Sequence, residues 1–381
     1  MSAGPPTRLV ATCARGTEGA LRRELVALGL KRVKGERGAA TFAGRLEEGL
    51  RACLWARTAM RILLPLARFP APDAAALYEG TRAVDWTDWL TERTTLSVDA
   101  TGVSPGITHS GFAALKVKDA VVDTLRDRLG ARPDVDTRDP DVRIVLHLAR
   151  GDAELSLDLA GEPLHRRGYR AATSEAPLKE TLAASILALG EVSGDRPFLD
   201  PMCGSGTLAI EHALASRRMA PGLRRPFGFQ RWPRYRGELQ SAWDRMKEEA
   251  RASALPRAPA PIWASDRSAE ALEAARRNAR AAGVEEDIFF SEADAREAEP
   301  RASAGTVCTN PPYGERLGAR PLQLGGFYQG LGRALRRFSG WDAVLLSGNP
   351  LLERHLELAP QWTHRLWNGP LEVRLLRYHI P

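Results

Sequence analysis

The stretch Asp200-Pro201-Met202-Cys203-Gly204-Ser205-Gly206-Thr207 decides the fold of this chain. It follows a short apolar strand candidate and leads into a helical pattern over residues 208–215. The two glycines permit a tight strand-to-helix turn in which a ligand can approach the backbone closely. A dinucleotide fingerprint needs a third glycine where Ala209 stands, and the Gly-Lys-Ser/Thr of a P-loop is absent. The turn therefore predicts a ligand whose amine or hydroxyl groups donate to the Asp200 carboxylate.

Strand and helix candidates alternate around this turn. Helical patterns over residues 268–282 and 327–338 separate several short apolar runs, and this alternation predicts a doubly wound, mostly parallel α/β sheet. The end of the chain differs, because Asn368-Gly369, a dipeptide typical of a type I′ turn, predicts an antiparallel hairpin. The strand candidates are residues 197–200, 261–266, 287–292, 306–310, 342–348, 362–367 and 371–380.

The first 160 residues predict two smaller α+β units that precede this sheet. Proline, alanine and aspartate over residues 69–76 indicate a boundary or a loop between them. Gly151-Asp152 lies between two alternating runs and predicts a hairpin. The strand candidates are residues 8–13, 41–42, 61–66, 95–100, 142–150 and 153–159, and the helix candidates are residues 17–29, 45–57 and 112–129.

Two further acids follow the next two strand candidates. Asp266 ends the second strand, where an acid in nucleotide-type folds binds ribose hydroxyls. Asp294 follows the third strand and is expected near an adenine amino group. A single aspartate at such a position is more often a helix cap. Three acids at successive strand ends, in register with a glycine turn, favour a cofactor site.

The fourth strand candidate ends in Asn310-Pro311-Pro312-Tyr313. Two consecutive prolines stiffen the backbone and remove two N–H donors. An amide oxygen and backbone carbonyls remain, beside an aromatic ring, and such acceptors suit the N–H groups of a planar base amine. The motif predicts a site that orients an amine nitrogen toward an electrophilic methyl group while Tyr313 stacks on the base. The alternative is a rigid turn.

Composition excludes several classes of protein. The 381 residues carry a net charge of +7, and their bases are unevenly divided into 48 Arg and 6 Lys. A high-GC genome gives the same bias, so the charge permits a polyanionic partner without requiring one. No apolar run is long enough for a membrane span, and the N-terminus lacks the pattern of a secretory signal. Four dispersed cysteines predict neither disulfides nor a zinc site and fit a reducing cytoplasm.

These motifs resemble the class I, S-adenosylmethionine-dependent, amino-group methyltransferases. More narrowly, the chain resembles the bacterial THUMP-domain RNA methyltransferases and, within them, the large-subunit ribosomal RNA guanine-N2 methyltransferases. The Asn-Pro-Pro-Tyr motif is shared by many amino methyltransferases, but the combination of motifs is specific and covers nearly the whole chain. The matching stretches are residues 12–16, 164–170, 176–183, 200–207, 309–317 and 367–377, together with Asp266 and Asp294.

The resemblance implies a ferredoxin-like domain over residues 1–68, a THUMP domain over 69–160 and a Rossmann-like methyltransferase domain over 161–381. It implies S-adenosylmethionine as cofactor without a metal, structured RNA as partner, no membrane and a cytoplasmic enzyme. The sequence leaves the oligomeric state open, with a monomer favoured. In some relatives a second methyltransferase domain makes 7-methylguanine, and because this chain stops at Pro381 that second activity is expected to be missing.

The resemblance also implies a role for each site residue. Asp200, Asp266 and Asp294 would hold the amino acid, ribose and adenine parts of the cofactor over the glycine turn. Asn310 and the Pro311 carbonyl would hold a guanine N2 amine. The cofactor-binding residues are expected to be Asp200, Met202, Cys203, Gly204, Ser205, Gly206, Thr207, Asp266, Asp294 and Asn310, and the catalytic ones Asn310, Pro311, Pro312 and Tyr313.

Two arginine clusters are candidate RNA contacts. Residues 217–236 hold seven arginines and no acid, interleaved with Phe227, Phe229, Trp232 and Tyr235. Arginines can contact phosphates while aromatic rings stack on splayed bases. The alternative is a surface segment packed by its aromatic rings. The second cluster is Arg166, Arg167 and Arg170.

Several alternatives to this function stay open at the level of sequence. A transfer-RNA guanine methyltransferase has the same parts, and a DNA adenine-N6 methyltransferase shares the Asn-Pro-Pro-Tyr logic. A non-catalytic RNA-binding assembly factor could retain a vestigial pocket. Cys203 and Cys308 are expected to pack in the core rather than act as nucleophiles.

Overall fold

A computed structural model of the chain describes residues 6–170, 178–313 and 321–381, without the side chains of residues 321–323. The chain folds into two compact units. The first comprises the chain up to Thr12 with Leu25–Leu164 and Arg225–Glu248, and the second comprises Cys13–Glu24, His165–Arg224 and Glu249–Pro381. The expected boundary at 68/69 falls inside a strand, and the boundaries of the three expected domains stay predictions.

The elements are numbered in chain order. The strands are β1 (Thr7–Thr12), β2 (Lys31–Glu36), β3 (Ala39–Gly44), β4 (Arg61–Pro70), β5 (Leu96–Gly102), β6 (Val142–Ala149), β7 (Asp152–Asp158), β8 (Phe198–Asp200), β9 (Ile262–Asp266), β10 (Ile288–Glu292), β11 (Thr306–Thr309), β12 (Asp342–Ser347), β13 (Trp362–Asn368) and β14 (Leu371–His379). The helices are α1 (Glu18–Ala27), α2 (Leu46–Trp55), α3 (Ala74–Arg82), α4 (Ser110–Leu129), α5 (Glu180–Leu189), α6 (Thr207–Ser216), α7 (Glu238–Ala252), α8 (Ala269–Ala282), α9 (Pro321–Leu335) and α10 (Leu351–Leu356).

The first unit is built on one seven-stranded sheet in the order β2-β3-β1-β4-β7-β6-β5. Among the strands described in this sheet, only β5 and β6 pair in parallel. The sequence did not predict β2, whose polar residues are mostly exposed at the sheet edge, nor α3, which begins inside the boundary or loop expected at residues 69–76. The hairpin between β6 and β7 is confirmed, but its turn lies one residue earlier than predicted, at Arg150 and Gly151, which both have positive φ, and Asp152 pairs with Ala149.

The second unit is built on a seven-stranded sheet in the order β10-β9-β8-β11-β12-β14-β13. Strands β8 to β12 are parallel and the last two pair antiparallel, which confirms the predicted fold class. The hairpin turn was predicted wrongly. It consists of Gly369 and Pro370, and only Gly369 has positive φ. A type I′ turn needs positive φ at both central residues, so this loop has glycine at the first central position, as a type II′ turn does.

Apolar side chains cover both faces of the second sheet. One cluster joins α5, α6 and α8 to the sheet through residues such as Ile186, Ile210 and Ala275. The other joins α9 and α10 to it through residues such as Tyr328 and Leu352. This packing fixes the strands, and the loops at their carboxyl ends share one edge. None of the described helices is both long and apolar enough to cross a membrane.

Candidate active site

The centre of the site lies where β8 and β11 end side by side. Asp200, the last residue of β8, is fully buried and accepts hydrogen bonds from the Thr309 hydroxyl at 2.7 Å and the Met202 amide at 3.2 Å. Burial raises the pKa of Asp200 to about 7, although the bond from Thr309 opposes this shift. Such a carboxylate is an acceptor for a cationic or donor ligand.

Asp266 binds the glycine turn from the neighbouring strand. It ends β9, and its carboxylate accepts hydrogen bonds from the amides of Gly204 at 2.9 Å and Ser268 at 3.0 Å. The structure therefore brings Asp266 to the turn, as the register of strand ends predicts. Gly204 has φ +52°, and a side chain there would meet open space, which leaves the turn accessible to a ligand.

Asp294 lies at the outer side of the site, just after β10. It accepts a hydrogen bond from the Arg296 amide at 2.9 Å and forms an ion pair with the Arg296 guanidinium. The hydrogen bond from the Arg296 guanidinium holds the pKa of the Asp294 carboxyl below its usual value. Its observed contacts are thus those of the local cap that a single aspartate commonly makes.

The Asn310-Pro311-Pro312-Tyr313 segment follows β11 and continues from the buried Thr309. The Tyr313 hydroxyl donates to Asn310 Oδ1 at 2.6 Å, so the amide oxygen already accepts from one donor. The Pro312 carbonyl accepts from the Tyr328 hydroxyl at 2.6 Å. Among the residues that the structure describes, the Pro311 carbonyl has no hydrogen-bond donor. The segment is rigid and presents acceptors beside an aromatic ring.

Residues after β12 support Tyr313, and sequence reasoning missed them. Asn349 Nδ2 donates to the Tyr313 carbonyl at 2.9 Å. The Tyr313 ring packs on Gly348, where a Cβ atom would lie 2.4 Å from a ring carbon. The sequence did contain a signal for these residues. Gly348 ends the strand candidate at residues 342–348, and the site residues lie at the ends of the neighbouring strands.

Two arginines of the cluster at residues 166–170 bind groups of the protein itself. Arg170 donates to Thr207 Oγ1 at 3.3 Å, to Ser205 Oγ at 3.5 Å and to Glu180 at 2.8 Å. Arg167 is 3% exposed and lies 3.6 Å from the fully buried Glu211. The predicted RNA contact is therefore wrong for Arg167 and Arg170.

Three of the four aromatic rings in the segment at residues 217–236 pack inward. Phe227, Phe229 and Trp232 are buried, so the prediction that they stack on bases is wrong and the alternative of aromatic packing is correct. Five arginines of the segment bind carboxylates or backbone carbonyls of the protein itself. These are Arg217, Arg224, Arg225, Arg231 and Arg234.

The two cysteines of the site are core residues. Burial raises the pKa of the Cys203 and Cys308 thiols well above the ordinary value, which makes them poor nucleophiles. In the described parts of the chain, no group of three or more His, Cys, Asp or Glu residues is placed to hold a metal ion.

Three known protein families match successive parts of the chain. Residues 167–376 match the model of the RMKL-like methyltransferase domain. The chain belongs to this methyltransferase family. Residues 71–158 match the THUMP domain, and residues 8–63 match the RlmL ferredoxin-like domain. The resemblance inferred from the motifs is therefore confirmed.

Individual relatives of the chain are named as RNA methyltransferases. The chain is 46% identical to ribosomal RNA large subunit methyltransferase K/L of Syntrophotalea carbinolica over 98% of its own length and 54% of that protein. It is 39% identical to the putative RNA methyltransferase slr0064 of Synechocystis sp., over 97% of this chain and 96% of that one. The chain spans about half the length of the first of these relatives.

A solved structure similar to this chain contains the product of the cofactor. The crystal structure of SMU.472, a putative methyltransferase complexed with SAH, has a TM-score of 0.89 and 30% identity, and the match covers 99% of each chain. SAH is the demethylated product of S-adenosylmethionine, so the prediction of S-adenosylmethionine as cofactor is confirmed. The site fits this group, because its carboxylates at Asp200 and Asp266 are acceptors for amine and hydroxyl donors and the space beside Gly204 is open.

Proposed function

We propose that the chain transfers a methyl group from S-adenosylmethionine to the exocyclic N2 amine of a guanine in RNA, most specifically in large-subunit ribosomal RNA. The observation that carries the proposal is the hydrogen bond between Tyr313 and Asn310 just after β11. The neighbouring strand, β8, ends at the buried Asp200. The family membership and the ribosomal RNA named for one relative support the RNA substrate. The cytoplasmic location and the monomeric state remain predictions that accompany this substrate.

Asp200, Asp266 and Asp294 would hold the cofactor over the glycine turn. The buried Asp200 carboxylate would accept from its amino group, Asp266 from the ribose hydroxyls, and Asp294 from the adenine amine. When bound, S-adenosylmethionine supplies an electrophilic methyl group on a sulfonium sulfur.

Asn310 would orient the attacking nitrogen. An exocyclic amine has two N–H donors, and Asn310 Oδ1 would accept one while the Pro311 carbonyl accepts the other. The incoming N–H takes the place of the Tyr313 hydroxyl on Asn310 Oδ1, which frees the Tyr313 ring to stack on the base. The nitrogen lone pair then points at the methyl carbon, and the nitrogen releases a proton to water after transfer. Orientation supplies most of the rate enhancement.

The base must leave its helix to reach this site. Extrusion of a stacked nucleotide costs a few kcal/mol, which contacts elsewhere on the RNA must offset. An extruded guanine presents its amino edge, and such single-stranded positions are where proteins read RNA sequence.

The test uses purified protein and labelled S-adenosylmethionine with three polymers in separate reactions: large-subunit ribosomal RNA, transfer RNA and DNA. Nucleoside mass spectrometry is expected to find N2-methylguanine in the ribosomal RNA. N2-methylguanine in transfer RNA alone would make transfer RNA the substrate, and N6-methyladenine in DNA would make DNA the substrate. Binding of ribosomal RNA with no transfer to any polymer would reduce the chain to an assembly factor.

A further inference from the structure

An N-terminal segment of the second unit is attached to the terminal hairpin of its sheet. Residues 13–17 form a tight turn in which Thr17 donates to the Ala14 carbonyl through its amide and its hydroxyl. The Trp367 amide donates to the Arg15 carbonyl at 3.0 Å, and His364 Nε2 lies 2.6 Å from the Gly16 carbonyl. These bonds fix the turn along β13.

Gly16 allows this close approach. It has φ +87°, and a Cβ atom there would lie 2.4 Å from the Arg365 carbonyl oxygen. A side chain at this position is therefore excluded both by the backbone conformation and by the contact. The buried side chains of Cys13 and Thr17 hold the turn from either side.

Arg15 projects from this anchored turn and stacks on Trp367. Its guanidinium carbon lies 3.9 Å from the centre of the Trp367 ring. The Arg15 side chain is exposed and has no carboxylate partner within the described ranges. Arg234 is different, because it stacks on Trp89 at 4.8 Å but also pairs with Asp88. One face of the Arg15 guanidinium thus rests on tryptophan, and its opposite face and full charge remain available to a ligand.

The register of the sheet places this pair at the edge where the strands of the site end. Strands β11, β12 and β13 run in the same direction. Ser347, the last residue of β12, pairs with Arg374, whereas Trp367 pairs with Glu372, two residues further toward the turn. Trp367 lies three strands from β11, a lateral spacing of about 15 Å. The stacked pair thus lies at the same edge of the sheet as the Asn310 motif, about 15 Å along that edge.

We propose that Arg15 and Trp367 form a platform for the single-stranded RNA next to the target guanine. The inference rests on the proposed function, because the occupant is the strand whose base enters at Asn310. An unpaired base stacks on the outer face of the guanidinium, and the N–H groups of Arg15 bind the adjacent phosphate. Stacking tolerates any base, so the platform contributes affinity and position rather than sequence preference.

The experiment measures filter binding of protein-free large-subunit ribosomal RNA from cells lacking the gene, at one fixed salt concentration. Arg15→Ala and Trp367→Ala are each expected to weaken RNA binding about tenfold, and the double variant no further, since both remove one platform. Trp367→Phe restores most of the affinity, and Arg15→Lys restores only part because a charge remains without a planar face. The matched control is Arg365→Ala on the same hairpin, whose cation already pairs with Glu372 and whose loss is expected to change binding less than twofold.

Two further measurements separate this role from a structural one. The dissociation constant for S-adenosylmethionine and the thermal midpoint are expected to stay near wild type in Arg15→Ala. Ultraviolet cross-linking of the wild-type complex, mapped by mass spectrometry, is expected to yield peptides that contain Arg15 or Trp367. RNA binding within twofold of wild type in both alanine variants, or cross-links confined to other peptides, overturns the proposal.

The same samples distinguish failure of the platform from failure of the proposed function. If wild type binds the RNA and methylates none, the proposed function fails while the binding series still decides the platform. If wild type methylates the RNA and Arg15→Ala does so with unchanged KM for RNA, the platform alone fails. If wild type binds no RNA, both fail.

Discussion

The two halves of the candidate site differ in how their polar groups are held. At the ends of β8 and β11, Asp200 and Thr309 are buried and bind each other, and Asn310 is bound by Tyr313. At the ends of β9 and β10, Asp266 and Asp294 are partly exposed and accept mainly from backbone amides and one arginine.

This difference indicates a division of labour. The buried bond between Asp200 and Thr309, together with the Tyr313 bond to Asn310 on a proline-stiffened backbone, gives that half one geometry, as a reaction centre requires. The carboxylates of Asp266 and Asp294 are partly open to water, so they contribute affinity and exchange their partners cheaply. We therefore expect changes in the buried half to affect rate and pH dependence, and changes in the exposed half to affect only cofactor affinity.

The largest effect is expected for Asn310→Ala. Loss of the amide oxygen removes the acceptor that orients the amine, so the single-turnover rate of methyl transfer should fall by about 100-fold or more. The dissociation constant for S-adenosylmethionine, measured by calorimetry, should change less than about threefold. Tyr313→Phe is the matched control, because it keeps the ring and should lose about tenfold or less. A rate near wild type in Asn310→Ala would remove Asn310 from the reaction centre.

The next largest effect is expected in the pH dependence of cofactor affinity, which we assign to ionisation of Asp200. Its pKa is about 7 in the cofactor-free protein against an ordinary value of 3.8, so the carboxyl becomes ionised as the pH rises through 7. An ionised carboxylate attracts the cationic cofactor, and affinity should rise about tenfold between pH 6 and pH 8. Asp200→Asn keeps an acceptor for Thr309 but does not titrate, so its affinity should be lower and flat with pH.

The stability of the cofactor-free protein should fall as the pH rises, whereas cofactor affinity increases. The folded state holds the Asp200 proton more tightly than the unfolded chain does. Protonated Asp200 therefore contributes fully to the free energy of unfolding below about pH 4, and this contribution is lost as the pH rises to about 7. The thermal midpoint of Asp200→Asn, relative to wild type, should therefore rise between pH 5 and pH 8. A constant difference in midpoint, or a wild-type cofactor affinity that is flat with pH, would contradict this assignment.

A smaller effect is expected for Arg170→Gln. Arg170 braces Ser205 and Thr207 on the glycine turn, so cofactor affinity should weaken by about fivefold to tenfold. Affinity for ribosomal RNA should stay within twofold, since Arg170 binds the protein itself. The opposite pattern, weak RNA binding with normal cofactor binding, would restore the prediction that this arginine contacts RNA.

The smallest effect is expected for Asp294→Asn in the exposed half. The residue already pairs with Arg296, and an amide can still accept a hydrogen bond, so the cofactor dissociation constant should rise about twofold to fourfold with an unchanged single-turnover rate. A large loss of rate would show that the two halves do not differ as described.

The strand ends of the site were predictable from the sequence because they depend on local patterns. Asp200 and Asp266 end strands as predicted, and Asn310 directly follows one. Apolar runs with period and length typical of buried parallel strands fix these ends, and the parallel order then brings them to one edge.

The supports of the site were not predictable in the same way. Arg170 and Thr207 are far apart in sequence and meet only through packing, and the pairing of Asn349 with Tyr313 has no local signature. The arginine-rich segment at residues 217–236 shows the converse error. Composition alone cannot tell an aromatic ring that packs inward from one that stacks on a base, and here Phe229 is fully buried.

The measurement that tests the central claim most directly is nucleoside mass spectrometry of large-subunit ribosomal RNA from a strain lacking the gene, complemented with wild type or with Asn310→Ala. One N2-methylguanine should be absent from the deletion strain, return with wild type and remain absent with Asn310→Ala. Retention of every N2-methylguanine in the deletion strain, or its full return with Asn310→Ala, would contradict the assignment of the substrate or of the reaction centre.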